Sequence, residues 1–362
     1  MIRERSEGGG SRGIRSMAME MERDKDRLLP VTTGDASKED VQLLWKGSAM
    51  TKRGAFAALS YMACAVLLVM FNKAVLSSYN FPSANVITLL QMICSIAFLY
   101  AMRSWNIISF RTVEGRSIIT DTSFKLFIPL ETFLRTSPLS IAYLLYMIVG
   151  MASIRGVNVP MYTTLRRTTV FFTMVMEYFL SGQKHSCPIV GSVGLILLGA
   201  FVAGARDLSF DFYGYMIVII SNITTAIYLI TIARIGKSSG LNSFGLMWCN
   251  ALVCGPVLFL WTFLSGELKL SIHFPHLYSP VFQVLMLLSC MLAFCLNYAI
   301  FLNTTLNSAL TQTICGNLKD FFTVIIGWVL FGGLPFDWLN VVGQSLGFFG
   351  SGVYAYYKVK GK

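Results

Sequence analysis

The chain has 362 residues, 55% of them hydrophobic and 13% charged, with a mean hydropathy of +0.63. A soluble chain carries about 25% charged residues, so this composition excludes an ordinary soluble domain and points to the bilayer. The formal net charge of +11 does not imply nucleic acid, because Lys and Arg sit at the ends of apolar runs, where they fix membrane orientation.

In chain order, residues 1–54 are polar and rich in Gly, Arg and Glu, and read as a disordered cytosolic tail without a cleavable signal peptide. Within it, Asp24-Lys25-Asp26-Arg27-Leu28-Leu29 fits an acidic dileucine sorting pattern. A helix needs about 20 apolar residues to cross the hydrocarbon core. Ten candidate spans follow: 55–77, 83–103, 136–154, 160–180, 187–205, 211–233, 243–265, 279–302, 307–331 and 338–357. Two connections are longer. Residues 104–135 mix charge with an apolar stretch, Phe124–Phe133, too broken for a span, and residues 266–278 hold Pro275, His273 and His276. With His185, all three histidines fall in loops and read as solvated. The chain ends in Lys358-Val359-Lys360-Gly361-Lys362, a KxKxx pattern of the kind retrieval coats read.

The Lys and Arg distribution orients the chain. An inside N-terminus puts Arg103, Arg111, Arg116, Lys125, Arg135, Lys184, Arg234, Lys237, Lys358, Lys360 and Lys362 on one side, and Arg155, Arg206 and Lys269 on the other. Both termini are therefore expected in the cytosol. Phe171-Phe172-Thr173 recurs as Phe321-Phe322-Thr323, and at the same offset Thr163 matches Thr313, Leu180 matches Leu330 and Gly182 matches Gly332. These lie in the fourth and ninth spans, which run in opposite directions. The expected fold is an all-α integral membrane protein of ten transmembrane helices in two inverted five-helix repeats, 55–205 and 206–357, with a cytosolic tail at 358–362. Gly191, Gly194, Gly199 and Gly204, then Gly343, Gly347, Gly350 and Gly352, make the fifth and tenth spans glycine-rich. They suit close packing within one subunit or, as a sharper alternative, a homodimer seam. Sequons at Asn222 and Asn303 fall inside a span and on the cytosolic side, so neither is expected to carry glycan.

Six charges fall within spans: Lys73, Arg166, Arg167, Glu177, Lys319 and Asp320. Each costs at least about 2.5–3.5 kcal/mol at the bilayer centre, so each needs a partner or a hydrated cavity. Arg166 and Arg167 begin well inside the fourth span beside Thr163, Thr164, Thr168 and Thr169. Adjacent positions diverge by about 100° on a helix, so one faces a cavity while the other pairs elsewhere. Guanidinium groups bind phosphate bidentately. Lys319 is central in the ninth span, and Asp320 could neutralise it, although adjacent positions do not face each other on a helix. Lys73 either snorkels or functions, and Glu177 either pairs with a base or couples protons. Cations in corresponding helices of two inverted halves converge near the midplane and call for a ligand with two or more negative charges.

Enzyme signatures are lacking. There is no HExxH, P-loop or nucleophile elbow, and the eight cysteines form no CxxC pair and read as buried hydrophobes. No cofactor or metal is expected. A membrane-embedded glycosyltransferase would have only Glu267, His273 and His276 in the 266–278 loop to work with.

Several stretches together resemble the nucleotide-sugar transporters of solute carrier family 35, in the drug/metabolite transporter superfamily. They are Asn72-Lys73-Ala74-Val75-Leu76 with Tyr79-Asn80-Phe81-Pro82, Val159-Pro160-Met161-Tyr162-Thr163-Thr164-Leu165-Arg166-Arg167, Gly199-Ala200-Phe201-Val202-Ala203, Asp207-Leu208-Ser209-Phe210-Asp211, Asn250-Ala251-Leu252 and Asn307-Ser308-Ala309-Leu310-Thr311. The set is similar to the UDP-sugar branch, subfamily D, and within it to plant transporters of UDP-N-acetylglucosamine. The resemblance implies antiport of a cytosolic nucleotide sugar for a lumenal nucleoside monophosphate in the Golgi or endoplasmic reticulum. GDP-mannose relatives carry Phe-Tyr-Asn-Asn on helix seven and Gly-Ala-Leu-Asn-Lys on helix nine. Here Met247-Trp248-Cys249-Asn250 and Gly316-Asn317-Leu318-Lys319-Asp320 stand instead, against GDP-mannose. The expected site has Arg166, Arg167 and Lys319 on the diphosphate, Trp248 and Asn250 near the base or sugar, and Tyr162, Tyr298, Asn317 and Thr313 as hydrogen-bonding groups, with Lys73 as a further cation. Another organic-phosphate translocator is the alternative reading.

Overall fold

The computed structural model describes residues 50–108, 130–155, 157, 159–205, 211–239, 241–331 and 338–361. The tail 1–49 with its dileucine pattern, the Phe124–Phe133 stretch as far as residue 129, Asp207–Phe210, Gly332 and Lys362 lie outside the described residues. Among the described residues all regular structure is helical, and seven helices are long and apolar enough to cross a membrane.

Helix α1, Lys52–Lys73, starts where the Thr51 side chain accepts a 3.0 Å hydrogen bond from the Gly54 amide, and continues as a π-helical turn, Ala74–Ser78. Helix α2, Ala84–Ser104, is capped by Ser83, and α3 spans Leu130–Arg155. The single span expected over 160–180 is two helices, α4 (Val159–Arg166) and α5 (Thr169–Ser181), parted at Arg167–Thr168. Gly182, at φ 62°, ends α5 in the left-handed conformation that glycine tolerates. Helix α6 is Cys187–Gly204, with Pro188 in its first turn. Helices α7 (Phe212–Ser238) and α8 (Ser243–Leu264) are capped by the side chains of Asp211 and Asn242. The 266–278 connection contains a short helix, α9 (Glu267–Ile272). Three helices complete the chain: α10 (Pro280–Leu306), α11 (Ala309–Phe331) and α12 (Trp338–Lys360).

The outside of this bundle is apolar. Phe56, Phe179, Phe201 and Leu264 are 70–83% exposed, which suits lipid and not water. Inside, α3 packs along α7 and α10 along α1, while α5 lies on α7 and α11 on α1. The most extensive pairing joins α6 to α12. A Cβ added to Gly199 would lie 2.6 Å from the Gly343 carbonyl oxygen and 2.7 Å from the Gly347 nitrogen. These glycines therefore serve backbone approach within one chain, whereas open space surrounds the Cβ positions of Gly191, Gly194 and Gly352.

Four other features refine the sequence reading. His185 is not a solvated loop residue: its side chain is 8% exposed and its Nε2 lies 3.3 Å from Glu177 Oε2. His276 packs against Tyr79, with ring centroids 5.9 Å apart. The expected C-terminal tail, 358–362, instead continues α12 as far as Lys360, with Lys358 buried. All eight cysteines are free; four are buried, whereas Cys187 and Cys295 are exposed.

Candidate substrate cavity

The site is built around the interruption between α4 and α5. Past Thr164 the backbone tightens to i→i+3 bonds: Arg167 N to Thr164 O at 3.2 Å, Thr168 N to Leu165 O at 3.0 Å, and Val170 N to Arg167 O at 3.4 Å. Such a turn inside a helix is a recurrent mark of a functional hinge. In a bilayer the disturbed carbonyls need other donors. Leu165 O receives the Thr168 hydroxyl at 2.7 Å and Asn222 Nδ2 at 2.9 Å; Arg166 O receives the Thr169 hydroxyl; Arg167 O receives Asn317 Nδ2 at 3.5 Å.

The two arginines then diverge. Arg166 faces a cavity of about 240 Å³ and donates from Nη1 to the Tyr162 hydroxyl at 2.6 Å. Arg167 is 7% exposed and turns the other way, into a crevice walled by Ile196, Asn317, Phe321, Gln344, Gly347 and Phe348. Facing Arg166 across the cavity are Thr313, Gly316, Asn317, Lys319 and Asp320 of α11. Lys319 Nζ closes a 2.6 Å ion pair with Asp320 Oδ1. Adjacency on a helix had argued against this contact, but the four-carbon lysine stem bends far enough to reach its neighbour. Asp320 is 43% exposed on its side chain and Lys319 21%, so the pair is hydrated and open to exchange.

The remaining wall was not read from the sequence. Tyr61, Tyr143, Tyr146 and Tyr228 line the cavity, together with Thr169, Thr225, Asn297 and Gln312. Tyr146 and Tyr228 stack at 5.4 Å with planes 9° apart, and Tyr143 meets Tyr228 edge-on at 5.4 Å. Tyr143 and Tyr146, at i and i+3, share a face of α3, the one sequence signal that could have marked this wall. Such faces present π-surface with a polar rim.

Other expected site residues lie elsewhere. Trp248 is 4% exposed in the core formed with α3 and α7. Asn250 is buried, with its Oδ1 3.6 Å from Cys254 Sγ. Tyr298 stacks on Phe244 at 4.3 Å. Lys73 is exposed at the C-terminal end of α1. None of the four lines the cavity. Glu267, considered above for catalysis, instead accepts from Asn85 Nδ2 at 2.9 Å and from the Ser83 hydroxyl, tying α9 to α2. No group of three or more potential metal ligands occurs among the described residues. A larger cavity of about 490 Å³ lies among α2, α9 and α10, but its wall is mostly apolar, with Ser271, Tyr278 and Gln283 its few polar side chains, and holds no cation. It does not suit a polyanion.

The Arg166 cavity is shut at one end. Thr173 and Thr313 hydroxyls are 3.2 Å apart between α5 and α11. Glu177, 3% exposed, accepts from the Leu310 amide at 2.9 Å, so its carboxylate caps the N-terminal turn of α11. Asn303 and Gln312 hydrogen-bond behind this contact. Along α11 residues 309–315 are buried, and exposure rises from Gly316 onward, so the cavity opens away from Glu177.

The Triose-phosphate Transporter family matches residues 52–356. The UDP-N-acetylglucosamine transporter UGNT1 of Arabidopsis thaliana is 68% identical over 319 residues, 88% of this chain and 92% of that protein. The UDP-sugar transporter sqv-7 of Caenorhabditis elegans is 33% identical over 310 residues, 85% of this chain and 89% of its own length. A solved crystal structure shares the fold at TM-score 0.55 and 13% identity, covering 83% of this chain and 96% of that one.

Proposed function

Because the chain belongs to the Triose-phosphate Transporter family, a family of carriers and not of enzymes, we propose that it moves a UDP-sugar, UDP-N-acetylglucosamine foremost, across the Golgi membrane in exchange for UMP. The observation that carries this reading is the cavity that sets Arg166 and Lys319 among tyrosine rings and amide side chains. Its support from relatives is the 68% identity to a transporter whose name specifies UDP-N-acetylglucosamine.

The ten-crossing inverted repeat is part of the proposal. Reading α4 and α5 as one broken span and adding α11 and α12 to the seven long apolar helices gives ten, divided between 55–205 and 206–357 with both termini cytosolic. The packing favours it. Contact of α3 with α7 is matched by α10 with α1, α5 with α7 by α11 with α1, and α2 with α10 by α8 with α3. The cavity draws on α1 and α7, α3 and α10, and α4–α5 and α11, three pairs under the same exchange of halves.

The chemistry follows. Arg166 offers a planar fork to a phosphate, and Lys319 a compact charge. Asp320 holds Lys319 while the site is empty, and an arriving diphosphate displaces it. The tyrosine wall takes the pyrimidine face, and Asn317, Gln312 and Thr313 supply hydrogen bonds to base or sugar. At about 240 Å³ the cavity lies just below the ~300–1,000 Å³ common for small-molecule sites. It suits a monophosphate better than a whole nucleotide sugar, for which the helices must part. Release toward the cytosol requires Glu177 to leave the α11 N-terminus and the Thr173–Thr313 contact to open, which makes this end the cytosolic gate of an alternating-access cycle.

Reconstitution of the purified chain into vesicles loaded with UMP tests the reading. Uptake of labelled UDP-N-acetylglucosamine, dependent on internal UMP and competed by external UMP, is expected. Uptake competed by triose phosphate and indifferent to UMP would sink it in favour of a sugar-phosphate exchanger.

A further inference from the structure

Asn222 stands on α7, is 2% exposed and does not line the cavity. Yet its hydrogen bonds all run to one turn of a neighbouring helix pair. Nδ2 donates to Leu165 O at 2.9 Å and to Thr168 Oγ1 at 3.1 Å, while Oδ1 lies 2.9 Å from the Thr169 hydroxyl, whose one proton is shared between it and Arg166 O. Those three residues bracket the α4–α5 interruption, and Arg166 lies between them. In an unbroken α-helix Leu165 O and Arg166 O would be served by the amides of Thr169 and Val170. Here Thr168 N bonds Leu165 O and Val170 N bonds Arg167 O. The amide of Asn222 gives one proton to Leu165 O and one to Thr168 Oγ1 and still offers an acceptor to Thr169, whereas a hydroxyl has a single proton to give and an apolar side chain none.

We propose that Asn222 is a positioning residue for substrate binding: by pinning residues 165–169 in the tightened turn it fixes the direction in which Arg166 leaves α4, and thereby the affinity for the anionic part of the substrate. This rests on the reading of the cavity as a nucleotide-sugar site. Without the pin the turn can relax toward a regular helix, which rotates Arg166 relative to Lys319 although neither cation is removed. A residue that merely packs α7 against α5 would change stability and leave this geometry alone.

The test compares UMP and inorganic pyrophosphate binding by the full chain, wild type against Asn222→Leu, in the native background and with Arg166→Lys. Asn222→Leu is expected to weaken both ligands about tenfold and to raise KM for UDP-sugar uptake by a similar factor, with maximal rate changed less than about twofold. In the Arg166→Lys background the same substitution should add little, because two residues acting through one group are non-additive. Asn222→Ser, which keeps a single donor, should fall between, and it carries the same comparison if Asn222→Leu does not fold. Unchanged affinity in Asn222→Leu, or an equal fold-loss in both backgrounds, overturns the proposal. Wild-type binding of pyrophosphate without UMP would instead overturn the nucleotide reading, and the pyrophosphate arm would still decide the role of Asn222.

Discussion

Lys319 and Asp320, neighbours in sequence, close an ion pair of 2.6 Å on the cavity wall, so one of the site's two cations is already engaged before any substrate arrives. Removing the carboxylate should free it. Asp320→Asn is expected to tighten UMP binding about fivefold, since a partly exposed pair is worth about 1 kcal/mol at most. Turnover should fall at the same time, because the bound anion then has no competitor to help it leave. Calorimetric Kd values and exchange rates in vesicles check both halves. Unaltered affinity would mean that Asp320 does not compete with the ligand.

Arg166 makes the stronger claim on the substrate. Its fork can meet a phosphate bidentately, which a lysine cannot reproduce. Arg166→Ala should lower uptake efficiency about 10- to 100-fold, from charge-assisted bonds worth about 1.5–3 kcal/mol. Arg166→Lys should recover part of that loss and Arg166→Gln little. Lys319→Ala should do comparable harm. Gel-filtration profiles identical to wild type would show that folding is intact. Wild-type uptake by Arg166→Ala would remove the cavity from the substrate path.

Some limits of the helices were legible in the sequence because local chemistry sets them, although α3 begins at Leu130 and not at 136, and α7 and α10 run on to Ser238 and Leu306 past the expected 233 and 302. Asp211 and Asn242 cap α7 and α8, Pro188 and Pro280 open α6 and α10, and apolar length does the rest. The interruption at Arg167–Thr168 was not legible. No Gly or Pro marks it, and it is held by Asn222 and Asn317 from distant helices. The divergence of Arg166 from Arg167 was readable, because 100° per residue allows little else. The tyrosine wall was hidden because Tyr143, Tyr146 and Tyr228 each read as ordinary aromatics in apolar runs, and they meet only through the packing of α3 on α7. Trp248 and Asn250 were drawn into the expected site by the resemblance, and their helix turns both into the core.

Glu177 offers a separate handle on the transport cycle. Its carboxylate accepts from Leu310 N at 2.9 Å and joins the ends of α5 and α11. Glu177→Gln keeps an oxygen for that amide but loses the charge that complements the helix N-terminus, worth about 0.3–2 kcal/mol. Glu177→Ala leaves a buried amide without its acceptor, at about 1–3 kcal/mol. The closed end should therefore open more often in the order wild type, Gln, Ala. Thr173→Cys in a cysteine-depleted chain should react with an impermeant maleimide, added on the side that this end faces, at rates rising in that order. Equal rates in all three would mean that this contact does not hold the gate.

The α6–α12 seam separates packing within one chain from assembly of two. At Gly343 an added Cβ would fall 2.5 Å from both the Ala203 nitrogen and the Gly199 carbonyl oxygen, and those backbone atoms cannot swing aside as a side chain can. Gly199→Ala and Gly343→Ala must push the two helices apart along their length, with an overpacking cost of about 1–3 kcal/mol each. Gly194→Ala and Gly352→Ala meet open space and gain about 0.5–1 kcal/mol of helix propensity. Melting in detergent should fall by several degrees for the first two and hold or rise for the second two. If instead Gly194→Ala and Gly352→Ala lower the melting point and change the sedimentation mass, those two glycines serve a contact between copies. If Gly199→Ala melts with wild type, α6 and α12 do not meet backbone to backbone.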